Sequence, residues 1–320
     1  KIVSTSLILK NLANLPRRVK AAFLICFDLV VLCFAMLLAF AGWPDAAEGA
    51  SGALKYLARK LPAQRFASID PEEFYVFTRT RPVSSYNEHD EREVSWPAND
   101  FYAYHSGERE QDLLIFVGVE PNLKWRAYSN AIADVAQEQG VVRTIVVGAL
   151  LDAVPHTRPI RVTGGSNDPE LQEMLGGTGV RGRRYEGPTG ISTAVSQVFA
   201  SRDIRLGHLW GHCPHYVQAS SYPKVSLALL EKLSGALDEK FDLEELRTTE
   251  SSFEQQFTSA LENDEKVQEY VQQLERRYDA QTEQSELQEP MPTPEEMVTE
   301  LEEFLKRRRS NGDDQESQSR

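Results

Sequence analysis

Apolar runs of strand length, each ending in a turn of Gly, Pro and polar side chains, set the pattern of the chain up to residue 238. The run at 144–151 (TIVVGALL) passes through Asp152 into Val154, Pro155, His156, Thr157, Arg158 and Pro159. Proline fixes its own φ and pushes the residue before it towards extended geometry, so the two prolines hold His156 and Arg158 in a defined turn. The same form recurs at 35–40 leading to 41–46 (AGWPDA) and at 112–118 leading to 119–122 (VEPN). It recurs again in the short segment 182–186 before 187–191 (GPTGI), and at 204–209 before 210–216 (WGHCPHY). Strands this continuously apolar belong in parallel sheets covered on both faces.

Helical spacing fills the intervals. In 45–61, Ala53, Leu54, Leu57 and Leu61 form one stripe, and further helices are predicted at 124–139 (closed by Gly140), 171–175, 190–200 and 223–238. Residues 66–75 read as a connection, and 83–111 as a strand pair or an excursion. Strands alternating with helices predict an α/β fold with a mostly parallel sheet flanked by helices, ending in a helical appendage. In such sheets ligands bind outside the carboxyl ends of the strands. The five turns therefore predict one loop-lined cleft formed by Trp43, Asp45, Glu120, Trp125, Asp152, His156, Arg158, Thr189, His212 and His215.

Beyond residue 238 the pattern changes. Leu243, Leu246, Phe253, Phe257 and Leu261 recur at helical spacing, as do Val267, Tyr270, Val271, Leu274 and Tyr278. Residues 281–292 read as a linker, and Thr293, Pro294 and Glu296 form a capping box that opens a last helix. The expected organisation is a hydrophobic segment over 1–34, an α/β domain over 35–238, an acidic helical region over 239–310 and a disordered tail over 311–320.

Residues 21–42 are apolar apart from Asp28 and follow Arg17, Arg18 and Lys20. A membrane span needs about 20 apolar residues, so this stretch is long enough to be an anchor. Its end, 35–41, has the same strand-then-turn form as the other strands, and that leaves too little to cross a bilayer. The positive-inside rule would also place the following domain outside the cell. A strand preceded by a hydrophobic helix is the preferred reading, with a membrane anchor through 21–42 as the alternative.

The formal net charge of −13 is a property of the tail. Residues 231–320 hold 25 Asp/Glu against 11 Lys/Arg, which leaves 23 against 24 in the first 230. No basic face is present to meet phosphates, so a nucleic-acid partner is not expected. Cys26, Cys33 and Cys213 have neither metal-finger spacing nor the even count of a disulfide framework, which fits the cytoplasm.

Candidate chemistry centres on the turns. His156 and Arg158 could bind an anion, Arg offering a planar fork of donors, or Arg158 could tie loops together through Glu120 or Asp152. Glu120 could serve as a general base or as a cap for the helix near 124. Thr189, between Gly187 and Gly190 at a helix start, sits where backbone N–H groups hold anions. His212 and His215 flank Pro214, and spacing fixes no third ligand, so no metal is predicted. No Ser-His-Asp order, nucleophile elbow or phosphate loop is present, and the cofactor is left unknown.

AFAGWPDA (39–46), IDPEEFY (69–75), TRP (80–82), WP (96–97), GVEPNLKW (118–125), VPHTRP (154–159), YEGPTGI (185–191) and WGHCPHY (210–216) occur in this order. Together they resemble the proteasome assembly chaperone 2 family, most closely its bacterial members, over about residues 38–310. The resemblance implies a phosphorylase- or nucleosidase-like α/β sheet. It also implies a chaperone-like binding protein, homo-oligomeric, with proteasome-like subunits as partners. Some bacterial relatives carry an ATP-grasp-like label, so a small-molecule ligase or hydrolase acting in the cleft is the alternative. Archaeal relatives end in a hydrophobic-Tyr-X motif, and the resemblance does not extend to the final residues here, ESQSR.

Overall fold

In the first strand, β1 (Phe34–Ala41), successive side chains feed two different cores. The computed structural model describes residues 34–105, 112–176, 187–217, 219–261 and 265–287. Within them β1 is the middle strand of a seven-stranded sheet ordered β2-β5-β6-β1-β7-β9-β8. It pairs in parallel with β6 (Asp112–Val119) and β7 (Val141–Asp152), and β7 pairs in parallel with β9 (Leu206–Pro214). The margins are antiparallel: β5 (Asp100–Tyr104) and β2 (Gln64–Ser68) beyond β6, and β8 (Val162–Ser166) beyond β9. The strands β3 (Val83–Tyr86) and β4 (Arg92–Ser95) form a separate, exposed hairpin.

Ala35, Leu37 and Ala39 face a core shared with helices α1 (Gly49–Lys60) and α5 (Pro223–Ala236). Met36, Leu38 and Phe40 face a second core with α2 (Trp125–Glu138) and α4 (Ile191–Ser201). Strand side chains alternate in direction, so a strand covered on both faces must be apolar at every position. Each fully buried leucine contributes roughly 2 kcal/mol relative to exposure. A short helix, α3 (Pro169–Met174), is capped by Asp168, whose Oδ1 accepts from Leu171 N at 3.0 Å.

Helix α6 (Glu244–Leu261) lies against the first core through Leu246, Phe253 and Phe257. The chain divides into two compact units, one ending at Val271 and the other beginning at Gln272. The last described helix, α7 (Glu265–Leu287), runs through that division.

The mostly parallel α/β sheet flanked by helices is as expected; two local readings need correction, and one margin strand was not anticipated. Residues 210–214 continue β9, so His212 is a strand residue held in register with Leu150, not a turn residue. Residues 162–166 (VTGGS) form the margin strand β8, although two glycines hide any strand pattern there. Residues 66–68, read as connection, belong to β2. Phe34–Ala41 is a sheet strand, which removes those residues from any span; 21–33 lie outside the described residues. Among the described residues no helix is long and apolar enough to cross a membrane. The linker and last helix expected beyond 287, and the segment 182–186, also lie outside them.

Candidate functional site

Because β1, β6, β7 and β9 are parallel, their carboxyl ends gather four of the five turns at one edge. Contacts there divide the expected residues into two sets, one at the ends of β1 and β6 and one at the ends of β7 and β9.

The first set surrounds Glu120. Its backbone N–H donates to Ala41 O at 2.8 Å, tying the ends of β6 and β1. Its Oε1 accepts from Ile191 N at 2.9 Å. Gly190, the residue before α4, has no side chain to cap that helix, so Glu120 supplies the oxygen from the turn after β6. The cap is therefore on α4, not on the helix near 124. Gly190 must be small: a Cβ there would lie 3.0 Å from the Trp43 ring and 3.2 Å from Glu120 Oε1. Gly42, at φ +121°, makes the turn that delivers Trp43 to this place. The Trp43 side chain is nevertheless 67% exposed. Thr189 is exposed as well, and its hydroxyl donates to Thr193 Oγ1 at 2.5 Å.

Asp45 and Trp125 serve the scaffold. Asp45 is buried, and its Oδ1 accepts from Ala50 N (2.7 Å) and Ser51 N (3.2 Å) in the first turn of α1. Burial raises its pKa, and Oδ2 has no partner. Trp125 donates its indole N–H to Pro121 O at 2.6 Å and packs on the second core.

The second set is built around Asp152. Its Oδ2 lies 2.8 Å from His212 Nδ1, and its carbonyl oxygen accepts from His215 N at 3.0 Å. The hydrogen bond from His212 is the main reason that the Asp152 carboxyl is held below the usual carboxylate range. On its other side, His212 Nε2 lies 2.9 Å from Thr163 Oγ1. His215 is exposed, with Nε2 3.1 Å from Tyr270 Oη.

His156 is enclosed. It is buried, and the Tyr216 hydroxyl lies 2.7 Å from its backbone N and 2.8 Å from its Nδ1. The Phe257 ring of α6 covers it edge-on with centroids 5.1 Å apart. Its carbonyl accepts from Lys224, which also pairs with Glu254 of α6 at 3.1 Å. Arg158, two residues on, is half-buried.

Sequence reasoning missed Thr163, Tyr216, Lys224, Glu254 and Phe257. Tyr216 lies within the WGHCPHY stretch, and Phe257 was visible only as part of a helical stripe. Thr163 gave no signal. A cavity of about 490 Å³ opens at the β2–β5 margin, lined by residues including Arg65, Asp70, Trp96 and Asn99, and none of the ten expected residues lines it. Among the described residues no group of three His, Cys, Asp or Glu is placed to hold a metal ion.

The fold and its strand-end loops define a mixed α/β protein whose parallel strands end in polar turns fastened to one another and to the helices. The PAC2 family pattern matches residues 39–261. A PAC2 family protein from Streptomyces avermitilis is 34% identical, with a TM-score of 0.67 over 74% of this chain and 99% of that one. A proteasome-assembly chaperone homologue from Mycobacterium tuberculosis is 31% identical, with a TM-score of 0.66 over the same shares. An archaeal proteasome activator from Pyrococcus furiosus, 18% identical at a TM-score of 0.58 over 71% of this chain and 93% of that one, shares the fold. No curated protein matches the chain. The chain belongs to the PAC2 family.

Proposed function

We propose that this chain is a chaperone-like binding protein of the cytoplasm that assembles into a homo-oligomer and engages proteasome-like subunits. The enclosure of His156 carries this reading. An open pocket with an unsatisfied histidine would favour a ligase or hydrolase built on His156 and Arg158. Instead the imidazole is buried, hydrogen-bonded to Tyr216 and capped by Phe257. Of the large apolar side chains that this edge offers to solvent, Trp43 is the most exposed, at 67%, and it is backed by Gly190 and Glu120. A tryptophan held in place yet open to water suits a protein contact better than a small-molecule pocket, since buried aromatics anchor most interfaces. The relatives named for proteasome assembly and activation supply the partner class.

The test is mass measurement on the purified chain, alone and mixed with proteasome α-type subunits. The expected result is a homo-oligomer that forms a heavier complex with those subunits. Trp43→Ala should weaken the heavier complex by about tenfold or more, as hot-spot tryptophans do, with an unchanged melting temperature. A monomer that ignores the subunits would overturn the reading.

A further inference from the structure

Thr163, His212 and Asp152 form a hydrogen-bonded line that the binding function does not use. Strand register creates it. Thr163 of β8 stands opposite Trp210 of β9, so His212, two residues on, is its diagonal neighbour on the same face. Leu150 of β7 stands opposite His212, which puts Asp152 on that face at the strand's carboxyl end. Three strands therefore each supply one member: Thr163 Oγ1 to His212 Nε2 at 2.9 Å, and His212 Nδ1 to Asp152 Oδ2 at 2.8 Å.

The proton positions follow from the partners. Asp152 is ionised and can only accept, so Nδ1 of His212 carries the proton. In the neutral imidazole Nε2 is then the acceptor, and the Thr163 hydroxyl donates to it. A hydroxyl on a base, with the base aimed by a third group, is the arrangement that activates an oxygen nucleophile. Access differs from that of the neighbouring histidine. His208, on the same strand, is driven neutral by burial, its pKa pushed down to about 4. Thr163 and Asp152 are half-buried, and β8 is the sheet's outer strand. His212 N donates to Arg161 O, so Arg161 and Thr163 bond to β9 while the N–H of Gly164 points away from it. The N–H next after a nucleophile is a common donor to the oxyanion in acyl transfer.

We infer that Thr163 and His212 form an acyl-transfer site for a small ester, with Asp152 as the positioning residue. Thr163 Oγ1 attacks the ester carbonyl carbon as its proton passes to His212 Nε2. The bond from that carbon to the alcohol oxygen breaks, and the alcohol leaves with the proton. Water then attacks the acyl-Thr163, giving a proton to His212, which returns it to Oγ1 as the acid departs. Ester and water become acid and alcohol, and nothing is oxidised or reduced. The γ-methyl of Thr163 and its half-burial restrict the acyl group to a small one.

The experiment uses the full chain with p-nitrophenyl acetate, following nitrophenolate release and mapping the acetyl adduct by mass spectrometry. The expected result is release above buffer with the adduct on Thr163, retained in Thr163→Ser. Removing the base should cost about a hundredfold or more in His212→Ala, and Thr163→Ala should be equally inactive. Asp152→Asn should slow acylation at an unchanged melting temperature, and Asp152→Glu should restore part of it. No release above buffer, rates in Thr163→Ala and His212→Ala equal to the parent, or an adduct on another residue would overturn the site. If either alanine variant fails to fold by circular dichroism, the adduct position in the parent and in Thr163→Ser decides.

Discussion

Asp45 and His156 are both buried polar side chains at strand ends, and their environments act in opposite directions. His156 has a hydroxyl at its ring and at its amide, so its burial is compensated. Asp45 satisfies two helix N–H groups with Oδ1 but leaves Oδ2 bare in the interior. Burial is the largest influence on its carboxyl and raises its pKa from 3.8. Between that value and the raised one, the folded chain holds a proton that the unfolded chain has released. Stability therefore falls as pH rises through this window, then levels off once both states are ionised. Asp45→Asn keeps an acceptor for Ala50 N and carries no charge. The urea midpoint of the parent, taken relative to that of Asp45→Asn, should decline with pH across the acid range and then become flat. A parallel course for the two proteins would show that the Asp45 carboxylate is solvated.

Helix α4 begins without a capping side chain of its own and borrows one from the turn after β6. That makes Glu120 a joint between elements, holding α4, the Gly190 approach and the back of Trp43 together. Glu120→Ala should cost about 1 kcal/mol, the usual value of a lost N-cap, while Glu120→Gln, which retains a carbonyl oxygen, should cost less. Equal destabilisation of the two in chemical denaturation would mean that the charge, not the acceptor, matters at this helix start. Pairings of this kind were invisible in the sequence. The interiors of β1, β6 and β7 were legible because a strand buried on both faces must be apolar at every position, and α1, α2 and α5 because a stripe repeats at helical spacing. The margin strand β8 has no such requirement: one side of it lacks a neighbour, and VTGGS carries neither alternation nor branched bulk. His212 was assigned to a turn because Gly211 and Pro214 look like turn residues, yet register with β7 keeps the strand going to Pro214. The site was legible as a set of strand-end turns, and its partition into two sets was not, since that depends on which strands are neighbours.

Helix α6 of the acidic region lies against the first core of the α/β sheet. Two kinds of interaction hold the helix there, and their magnitudes decide which matters. The ion pairs are Arg59 with Glu245 (2.6 Å), Lys60 with Asp242 (3.3 Å) and Glu245 (3.1 Å), Arg247 with Glu231 (2.8 Å) and, less exposed than these, Lys224 with Glu254 (3.1 Å). Most of these groups are well exposed, and such pairs contribute about 0–1 kcal/mol each and are screened by salt. The Glu245 carboxyl, pushed down to about 2 by hydrogen bonds from Arg59 and Lys60, is still exposed. Against them stand Phe253 on the Tyr222 ring at 5.4 Å and Phe257 on His156 at 5.1 Å. Fully burying an apolar side chain is worth roughly 1.5–3 kcal/mol; the two rings are partly buried and Leu246 of the same helix is buried, so the apolar contacts together outweigh the pairs. High salt should therefore leave α6 docked, whereas Phe253→Ala with Phe257→Ala should release it. Hydrogen exchange at the His156 amide, which faces the Tyr216 hydroxyl beneath Phe257, reports the difference. Exchange should accelerate in the double variant and stay unchanged for the parent in high salt. Acceleration by salt alone would show that charge holds the helix. Because the same helix encloses His156, its release would also open the pocket whose closure supports a binding role over catalysis at that histidine.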